Sequence, residues 1–395
     1  MKRDAQALKG ALAELDRGLL RRRRITLTTG DAASEWPRVS IDGRRAVDFC
    51  SNDYLGLARH PSVAGAMAEA AHRQGAGAGA SHLVSGHGIE HGKLEEELAA
   101  FTQRERALLF STGYMANLAV IAALVGRGEL ALLDRLNHAS LIDGALLAGA
   151  RLKRYAHADA GAAERALAAN TGGAALLATD GVFSMDGDCA PLPALARACS
   201  AHGAWLLVDD AHGLGVLGAT GRGTLEHFGL DEAAVPLLVG TLGKAFGSFG
   251  AFAAGPADLI EFLLQKARPY VYTTALPQAV AAATRASLAI AMRESWRRER
   301  VLMLVRRFSA AARALQLPII ASATPIQPLV LGTASQVLAA QDALLAEGFW
   351  VAAIRPPTVA RGSARLRVAL SAAHTEAQVD ALAEALGRIC RAPVP

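Results

Sequence analysis

The sequence predicts an α/β fold with a mostly parallel central sheet, helices on both faces, and a smaller C-terminal α+β domain. Three observations predict it. From about residue 52 to 290, short apolar runs alternate with helix-length segments, the pattern of repeated strand–helix units. Runs such as Leu130–Leu133 and Trp205–Val208 are apolar throughout rather than alternating, as in strands buried on both faces. Beyond residue 290 the rhythm changes to a few strands and helices of a separate, smaller arrangement.

The elements follow in order. Residues 4–20 place Leu8, Leu12, Leu15 and Leu19 on one helical face,. Strand-like pieces at 38–41 and 46–49 flank Asp42-Gly43, a hairpin turn,. Residues 1–51 therefore read as an N-terminal arm. The large α/β domain is expected over 52–290. Leu94, Leu98 and Phe101 mark a helix, Ala107–Phe110 a strand, Ser111-Thr112-Gly113 a turn, and 114–125 a helix. Leu130–Leu133 and Ala174–Ala178 are strands, 192–202 a helix, and Trp205–Val208 and Leu237–Gly240 strands. Residues 276–315 read as one long helix carrying a charged patch at Arg293–Arg300. The C-terminal α+β domain, 291–395, has strands at Ile326–Leu331, Trp350–Ile354 and Arg365–Leu370, and helices at 334–347 and 375–391.

Composition narrows the function classes. A chain of 395 residues, at about 100–200 per domain, has room for two or three domains. With 52% hydrophobic and 19% charged residues it is not a disordered chain. Mean hydropathy is high, at +0.24, but Arg127, Glu129, Asp134 and Arg135 interrupt the most apolar stretch. No membrane span is expected. The net charge of +5 is mild. Its dense basic run, Arg21–Arg24, has no interleaved aromatics and reads as a helix end or a clamp for an anionic substrate rather than a nucleic-acid patch. The opening MKRDAQALKGALAEL lacks the apolar core of a secretory signal. Cys50, Cys189, Cys199 and Cys390 form no C-x-x-C pair, which points to a reduced, cytoplasmic setting.

Three motifs are set aside. His87-Gly-Ile-Glu-His91 has the spacing of a zinc peptidase,, but Gly86, Gly88 and Gly92 weaken the helix it needs, and no third ligand is evident, so no metal is expected. Gly75-Ala-Gly-Ala-Gly79 follows a helical segment, not the strand a dinucleotide fingerprint requires,. Gly240-Thr-Leu-Gly-Lys244 lacks the spacing of a P-loop,.

The chemistry sits at four strand ends, where open parallel sheets bind ligands. Ser111-Thr-Gly-Tyr114 joins a strand to a helix; a glycine at a helix N-terminus lets phosphate approach backbone N–H groups. His138 follows the 130–134 strand and offers a flat ring for stacking. Asp209 closes an apolar strand, where burial makes its charge costly unless a cation pairs with it. Lys244 lies between glycines after another strand; a lysine of depressed pKa is the Schiff-base nucleophile for carbonyls. An acid for a pyridinium and a lysine for an aldehyde are the groups pyridoxal phosphate requires.

With these residues in view, the chain resembles the α-oxoamine synthases, fold-type-I pyridoxal-phosphate enzymes of the aspartate aminotransferase-like fold. The resemblance spans nearly the whole chain. It rests on Ser51-Asn-Asp-Tyr-Leu-Gly56, Ser111-Thr-Gly-Tyr114, Asp134-Arg-Leu-Asn-His-Ala-Ser140, Gly181-Val-Phe-Ser-Met-Asp-Gly187, Val208-Asp-Asp-Ala-His-Gly213 and Thr241-Leu-Gly-Lys244.

The resemblance implies a role for each residue. Lys244 would hold pyridoxal 5'-phosphate and later move the Cα proton of the substrate. Asp209 would keep the pyridine nitrogen protonated, and His138 would stack on the ring. His212 and Ser184 would bond the ring's phenolic oxygen, and Thr241 with the Gly113 and Tyr114 backbone would hold the phosphate. Arg355 would grip an amino acid carboxylate with Asn52 nearby, and Arg21 and Thr358 match substrate-contacting positions. The arginine run is one residue longer than in some relatives, so Arg22 competes with Arg21 for that place. Asp180 stands where glutamate is also common.

The implied reaction is decarboxylative condensation of an amino acid with an acyl thioester, catalysed by a homodimer. Ala353-Ile-Arg-Pro-Pro-Thr-Val359 points within the branch to L-alanine and pimeloyl-CoA, or a pimeloyl carrier protein. The alternatives are the chemistry of 5-aminolevulinate synthase or glycine C-acetyltransferase, which the lysine loop does not separate, or a non-catalytic binding subunit. No nucleic-acid or membrane partner is expected.

Overall fold

A computed structural model describes residues 5–30 and 35–391. Along the chain these form α1 (Ala5–Arg17), β1 (Leu27–Thr29), β2 (Arg38–Ile41), β3 (Arg44–Asp48), α2 (Pro61–Gln74), α3 (Ile89–Thr102), β4 (Arg106–Phe110), α4 (Gly113–Leu124), β5 (Leu130–Asp134) and α5 (Ala139–Ala148). Then come β6 (Arg151–Tyr155), α6 (Ala160–Ala168), β7 (Ala175–Asp180), α7 (Leu192–Ala201), β8 (Trp205–Asp209), α8 (Thr224–Phe228), β9 (Leu237–Thr241), β10 (Ala251–Gly255), α9 (Ala257–Lys266) and α10 (Arg268–Val271). The last are α11 (Gln278–Arg293), α12 (Trp296–Ala314), β11 (Ile326–Gly332), α13 (Ala334–Ala346), β12 (Phe349–Trp350), β13 (Ala352–Ile354), β14 (Ala364–Ala369) and α14 (Glu376–Arg391).

The described residues cluster into two compact units. One holds those up to Ser51, Met185–Gly187, and those from Leu302; the other holds Asn52–Ser184 and Asp188–Val301.

The second unit contains a seven-stranded sheet in the order β4-β10-β9-β8-β7-β5-β6. The pairs from β9 through β6 are all parallel, and only β10 runs against its neighbours β4 and β9. Two cores sandwich it. Ala131, Leu133, Leu176, Ala178, Leu207, Leu237 and Val239 pack with residues of α4, α5 and α9. Leu130, Leu132, Leu177, Leu206, Val208 and Leu238 pack with residues of α6 and α7. Alternate residues of one strand thus serve opposite faces, as the two-residue period dictates.

That parity also sorts the acids at the strand ends. Asp180 and Asp209 fall on the α4–α5 face and Asp134 on the other. Asp180 and Asp209 are register partners across β7 and β8.

In the first unit β1-β2-β3-β12 form a four-stranded sheet and β11-β14-β13 a three-stranded one. The β2–β3 hairpin turns at Asp42 and Gly43, both at positive φ, the left-handed geometry such turns need. Phe49 stacks on the His374 ring at 4.1 Å. The Met185–Gly187 excursion belongs here: Arg365 pairs with Asp186, and the Ser322 and Thr324 hydroxyls donate to the Gly187 carbonyl at 2.9 and 3.0 Å.

Three expectations change. The long helix expected over 276–315 is two helices, α11 and α12, broken at Glu294-Ser295. Serine favours helix starts, and Arg297 bonds back to Glu294 at 2.8 Å. The Trp350–Ile354 strand divides, because β12 pairs with β3 while β13 pairs with β14. Strands β6 and β10 were not foreseen. β6 is a charged edge strand, a common way to protect a sheet edge, and β10 is built of Ala, Phe and Gly.

On the α6–α7 face, His157 bridges two carboxylates, Asp134 at 3.0 Å and Asp188 at 2.9 Å. Hydrogen bonds to both, Asp134 first, raise its pKa to about 10 despite burial. Because this lies above the ordinary value of 6.5, the contribution to stability is complete below pH 6.5 and disappears as the pH rises through about 10. Denaturant unfolding should show the stability difference between wild type and His157→Asn shrinking over that interval.

Candidate functional site

The site is built in the second unit from the carboxyl ends of β4, β5, β7, β8 and β9. At the end of β4, Thr112 caps α4, its hydroxyl accepting from Met115 N–H at 3.2 Å. The first intrahelical bond is made by Ala116 to Thr112, so the Gly113 and Tyr114 amides precede the helical ladder. A Cβ on Gly113 would come within 2.6 Å of the Thr241 methyl. The glycine therefore lets the end of β9 close against the helix N-terminus, which suits an anion.

Asp209 is buried. Its Oδ2 accepts from Asn117 Nδ2 at 2.6 Å and its Oδ1 from Ala211 N–H at 3.0 Å. Asn117 Nδ2 also reaches Ser140 Oγ at 2.9 Å. Ser140 Oγ in turn lies 2.7 Å from His138 Nδ1. Since Ser140 accepts from the amide, its own O–H is directed to His138 Nδ1, and Ser140 N–H adds a weaker bond to the same atom at 3.3 Å. Nδ1 is thus the acceptor and Nε2 carries the proton. One buried amide links the acid to the imidazole. Burial lowers the His138 pKa, Asp209 opposes that, and Lys244 adds to it.

Asp180 accepts His138 N–H at 2.8 Å. Burial and then the Asp209 charge push its pKa well up, while the His138 bond and Lys244 pull it down. His138, Asp180, Asp209 and Lys244 therefore share one electrostatic neighbourhood.

Lys244 lies on the loop between β9 and β10. The loop is held by Leu242 N–H to Gly250 C=O, Ser248 N–H to Leu242 C=O and Gly247 N–H to Lys244 C=O, at 2.8–2.9 Å. Gly247 has φ +57 and a Cβ there would meet Ala58 N at 2.2 Å, so the loop seats directly against the 57–58 backbone. That backbone is fixed by Asp53, which accepts from the Leu57 and Ala58 amides at 2.8 and 3.1 Å. The adjacent Tyr54 hydroxyl donates to Asn52 Oδ1 at 3.2 Å and lies 2.7 Å from His212 Nδ1. Thr241 Oγ1 reaches the Ala211 carbonyl at 3.4 Å. Ser184 follows β7 in the same unit.

The remaining expected residues belong to the first unit. There Arg21, Arg22, Arg23, Arg355 and Thr358 line a cavity of about 880 Å³ with Leu19, Leu20 and Ile354. Arg22 donates to Thr358 Oγ1 at 2.7 Å, and Arg355 to the Leu19 carbonyl. Burial, and then the Arg22 charge, lower the Arg355 pKa. Arg21 instead pairs with Asp16 at 2.6 Å.

Sequence reading missed Asn117, Ser140 and the partnership of Tyr54 with His212. The signal for Asn117 was present: it is a lone amide in an otherwise apolar helix, Gly113–Leu124. It also missed His82, which joins His87 and His91 to supply the third imidazole near the H-x-x-E-H run.

Known proteins match the chain closely. The aminotransferase class I and II family matches residues 44–386. An 8-amino-7-oxononanoate synthase from Thioalkalivibrio sulfidiphilus is 60% identical over 376 residues, covering 95% of each chain. One from Cellvibrio japonicus is 56% identical over 384 residues, covering 97% of this chain and 96% of the relative. Among solved structures, a serine palmitoyltransferase from S. paucimobilis has a TM-score of 0.92 at 31% identity, covering 98% of this chain and 99% of the other. An 8-amino-7-oxononanoate synthase from Francisella tularensis has a TM-score of 0.76 at 31% identity, covering 87% and 97%.

Removing the Asn117 amide should leave the Asp209 carboxylate buried without its strongest donor. Asn117→Ala is expected to lower unfolding free energy by about 1.5–3 kcal/mol, measured by urea denaturation of the cofactor-free protein.

Proposed function

We propose that this chain, which belongs to the aminotransferase class I and II family, condenses L-alanine with a pimeloyl thioester, releasing CO2 and the thiol and giving 8-amino-7-oxononanoate for biotin biosynthesis. The observation that carries this reading is the 56–60% identity to enzymes of that name over nearly the full length. The thioester is pimeloyl-CoA or its carrier-protein equivalent. The working form is a cytoplasmic homodimer, in line with the family resemblance.

The second unit fits pyridoxal 5'-phosphate: a helix N-terminus with no room for a Cβ at Gly113, a buried acid, and a lysine on the neighbouring loop. When bound, that group supplies an electron sink for a carbanion at the amino acid Cα. Lys244 would hold it and move the Cα proton. Asp209, fixed by Asn117 and Ala211, would pair with the ring nitrogen. His138, bonded to Ser140, would stack on the ring. His212, bonded to Tyr54, and Ser184 would bond the ring oxygen. Thr241 and the Gly113 and Tyr114 amides would hold the phosphate. Arg355 would take the alanine carboxylate as a planar fork.

The far end of the pimeloyl chain is a second carboxylate. The arginines of the 880 Å³ cavity supply cations for it. Arg22, bonded to Thr358, and Arg21, paired with Asp16, both line that cavity.

Two measurements test this reading. Borohydride reduction followed by peptide mapping should place pyridoxyl on Lys244 and find none in Lys244→Ala; label on another lysine overturns the assignment. Product formation should be greatest with L-alanine and pimeloyl-CoA. An acyl-CoA lacking the terminal carboxylate should fall by about tenfold to a hundredfold, the effect of one charged hydrogen bond of about 1.5–3 kcal/mol. Arg22→Ala and Arg21→Ala should erase that preference, and unchanged discrimination in both overturns the clamp. Faster turnover of glycine with succinyl-CoA would move the chain to the aminolevulinate-forming branch.

A further inference from the structure

Three imidazoles outside the Asp209–Lys244 neighbourhood face one another in the second unit. His82 opens the π-turn His82–Gly86, His87 follows that turn, and His91 lies in the first turn of α3. Each offers a nitrogen within 4.8 Å of the others. Their ring centroids are 5.2, 5.1 and 5.4 Å apart. Three imidazoles bound at about 2.0–2.1 Å to one tetrahedral ion place their ring centres about 5 Å apart.

We propose that His82, His87 and His91 form a binding site for a divalent transition ion of the zinc class, each ligating through Nδ1. The Nδ1 atoms of His82 and His87 are 3.0 Å apart. Two nitrogens on a tetrahedral ion stand about 3.3 Å apart, so an ion replaces the proton they share with a movement of a few tenths of an ångström. His91 Nδ1 accepts the Gly88 N–H at 2.9 Å. Its lone pair is therefore unprotonated, and metal entry displaces that one hydrogen bond.

The outer partners that orient ligating imidazoles are already present. His91 Nε2 donates to the Leu276 carbonyl at 2.6 Å, and His87 Nε2 faces Glu95 Oε2 at 4.0 Å. Carbonyl and carboxylate partners on the far nitrogen are the usual support of a metal-bound histidine. His82 is fixed by stacking on Tyr270 at 4.8 Å and 12°.

Burial keeps the rings neutral: it lowers the His82 pKa to about 3, with help from His91 and His87, and lowers those of His87 and His91. Neutral imidazole is the form that binds metal. His82 and His91 are buried, whereas the His87 side chain is 35% exposed. That gives a path from solvent and an open fourth position for water. An all-imidazole set selects zinc, cobalt, nickel or copper over magnesium and calcium.

The site is independent of the proposed reaction, and so is its test. Co2+ is titrated into the untagged full chain with its cofactor bound, and the visible d–d bands are followed. The expected result is saturation at one equivalent with bands of tetrahedral intensity, displaced by Zn2+ and untouched by Mg2+. His87→Gln, at the exposed ring, and His82→Gln should each weaken Co2+ binding by at least the roughly 10–100-fold that losing an outer partner costs, with circular dichroism confirming an unchanged fold. Six-coordinate spectra, a thiolate charge-transfer band, or equal affinity in wild type and both variants would overturn the site.

Discussion

Charge buried at the ends of the parallel strands is the constraint on which the second unit depends. Asp134, Asp180, Asp209 and Asp210 all lie in the interior, where an uncompensated carboxylate is costly. Each is compensated differently. Asp134 takes His157 and two backbone amides. Asp180 takes a single backbone N–H from His138, and Asp209 takes Asn117 and Ala211. Asp210 takes the Thr224 amide at 2.7 Å, and burial still pushes its pKa to about 8. The segments after β5, β6 and β8 deliver most of these donors.

The compensation is uneven, and the unevenness is chemical. The Asp134–His157–Asp188 bridge is self-contained, a structural clamp on the α6–α7 face. On the opposite face, Asp180 and Asp209 sit side by side with fewer donors than two full charges require. Burial and the Asp209 charge push the Asp180 pKa well up. Asp209 has both oxygens held, by Asn117 and Ala211. The Lys244 charge, from the β9–β10 loop, acts in the opposite sense on Asp180.

The first unit holds its charge in the opposite sense. Arg21, Arg22, Arg23 and Arg355 gather around one cavity, and among the described residues Arg21 alone of the four is in an ion pair. Guanidinium groups this close repel, and the Arg22 charge lowers the Arg355 pKa. Such a cluster is relieved by anions such as carboxylates. The order of the arginine run left Arg21 and Arg22 interchangeable. In the structure Arg21 pairs with Asp16 and Arg22 with Thr358.

What the sequence determined by itself is local and periodic. Continuous apolar runs gave the parallel strands, because a strand buried on both faces tolerates no polar alternate. The residues that end those runs, Gly113, His138, Asp209 and Lys244, were visible because the run stops at a polar or glycine residue. Tertiary structure alone decided three other things. It placed β10 antiparallel between β4 and β9, where small residues carry no period of their own. It broke the long helix at Ser295, since the apolar pattern continues across the gap and only the turn at Glu294 interrupts it. And it brought Asn117 to Asp209, 92 residues away, and His82 to His91. Contacts between side chains from separate elements depend on which faces meet, and a one-dimensional pattern records each face without its partner.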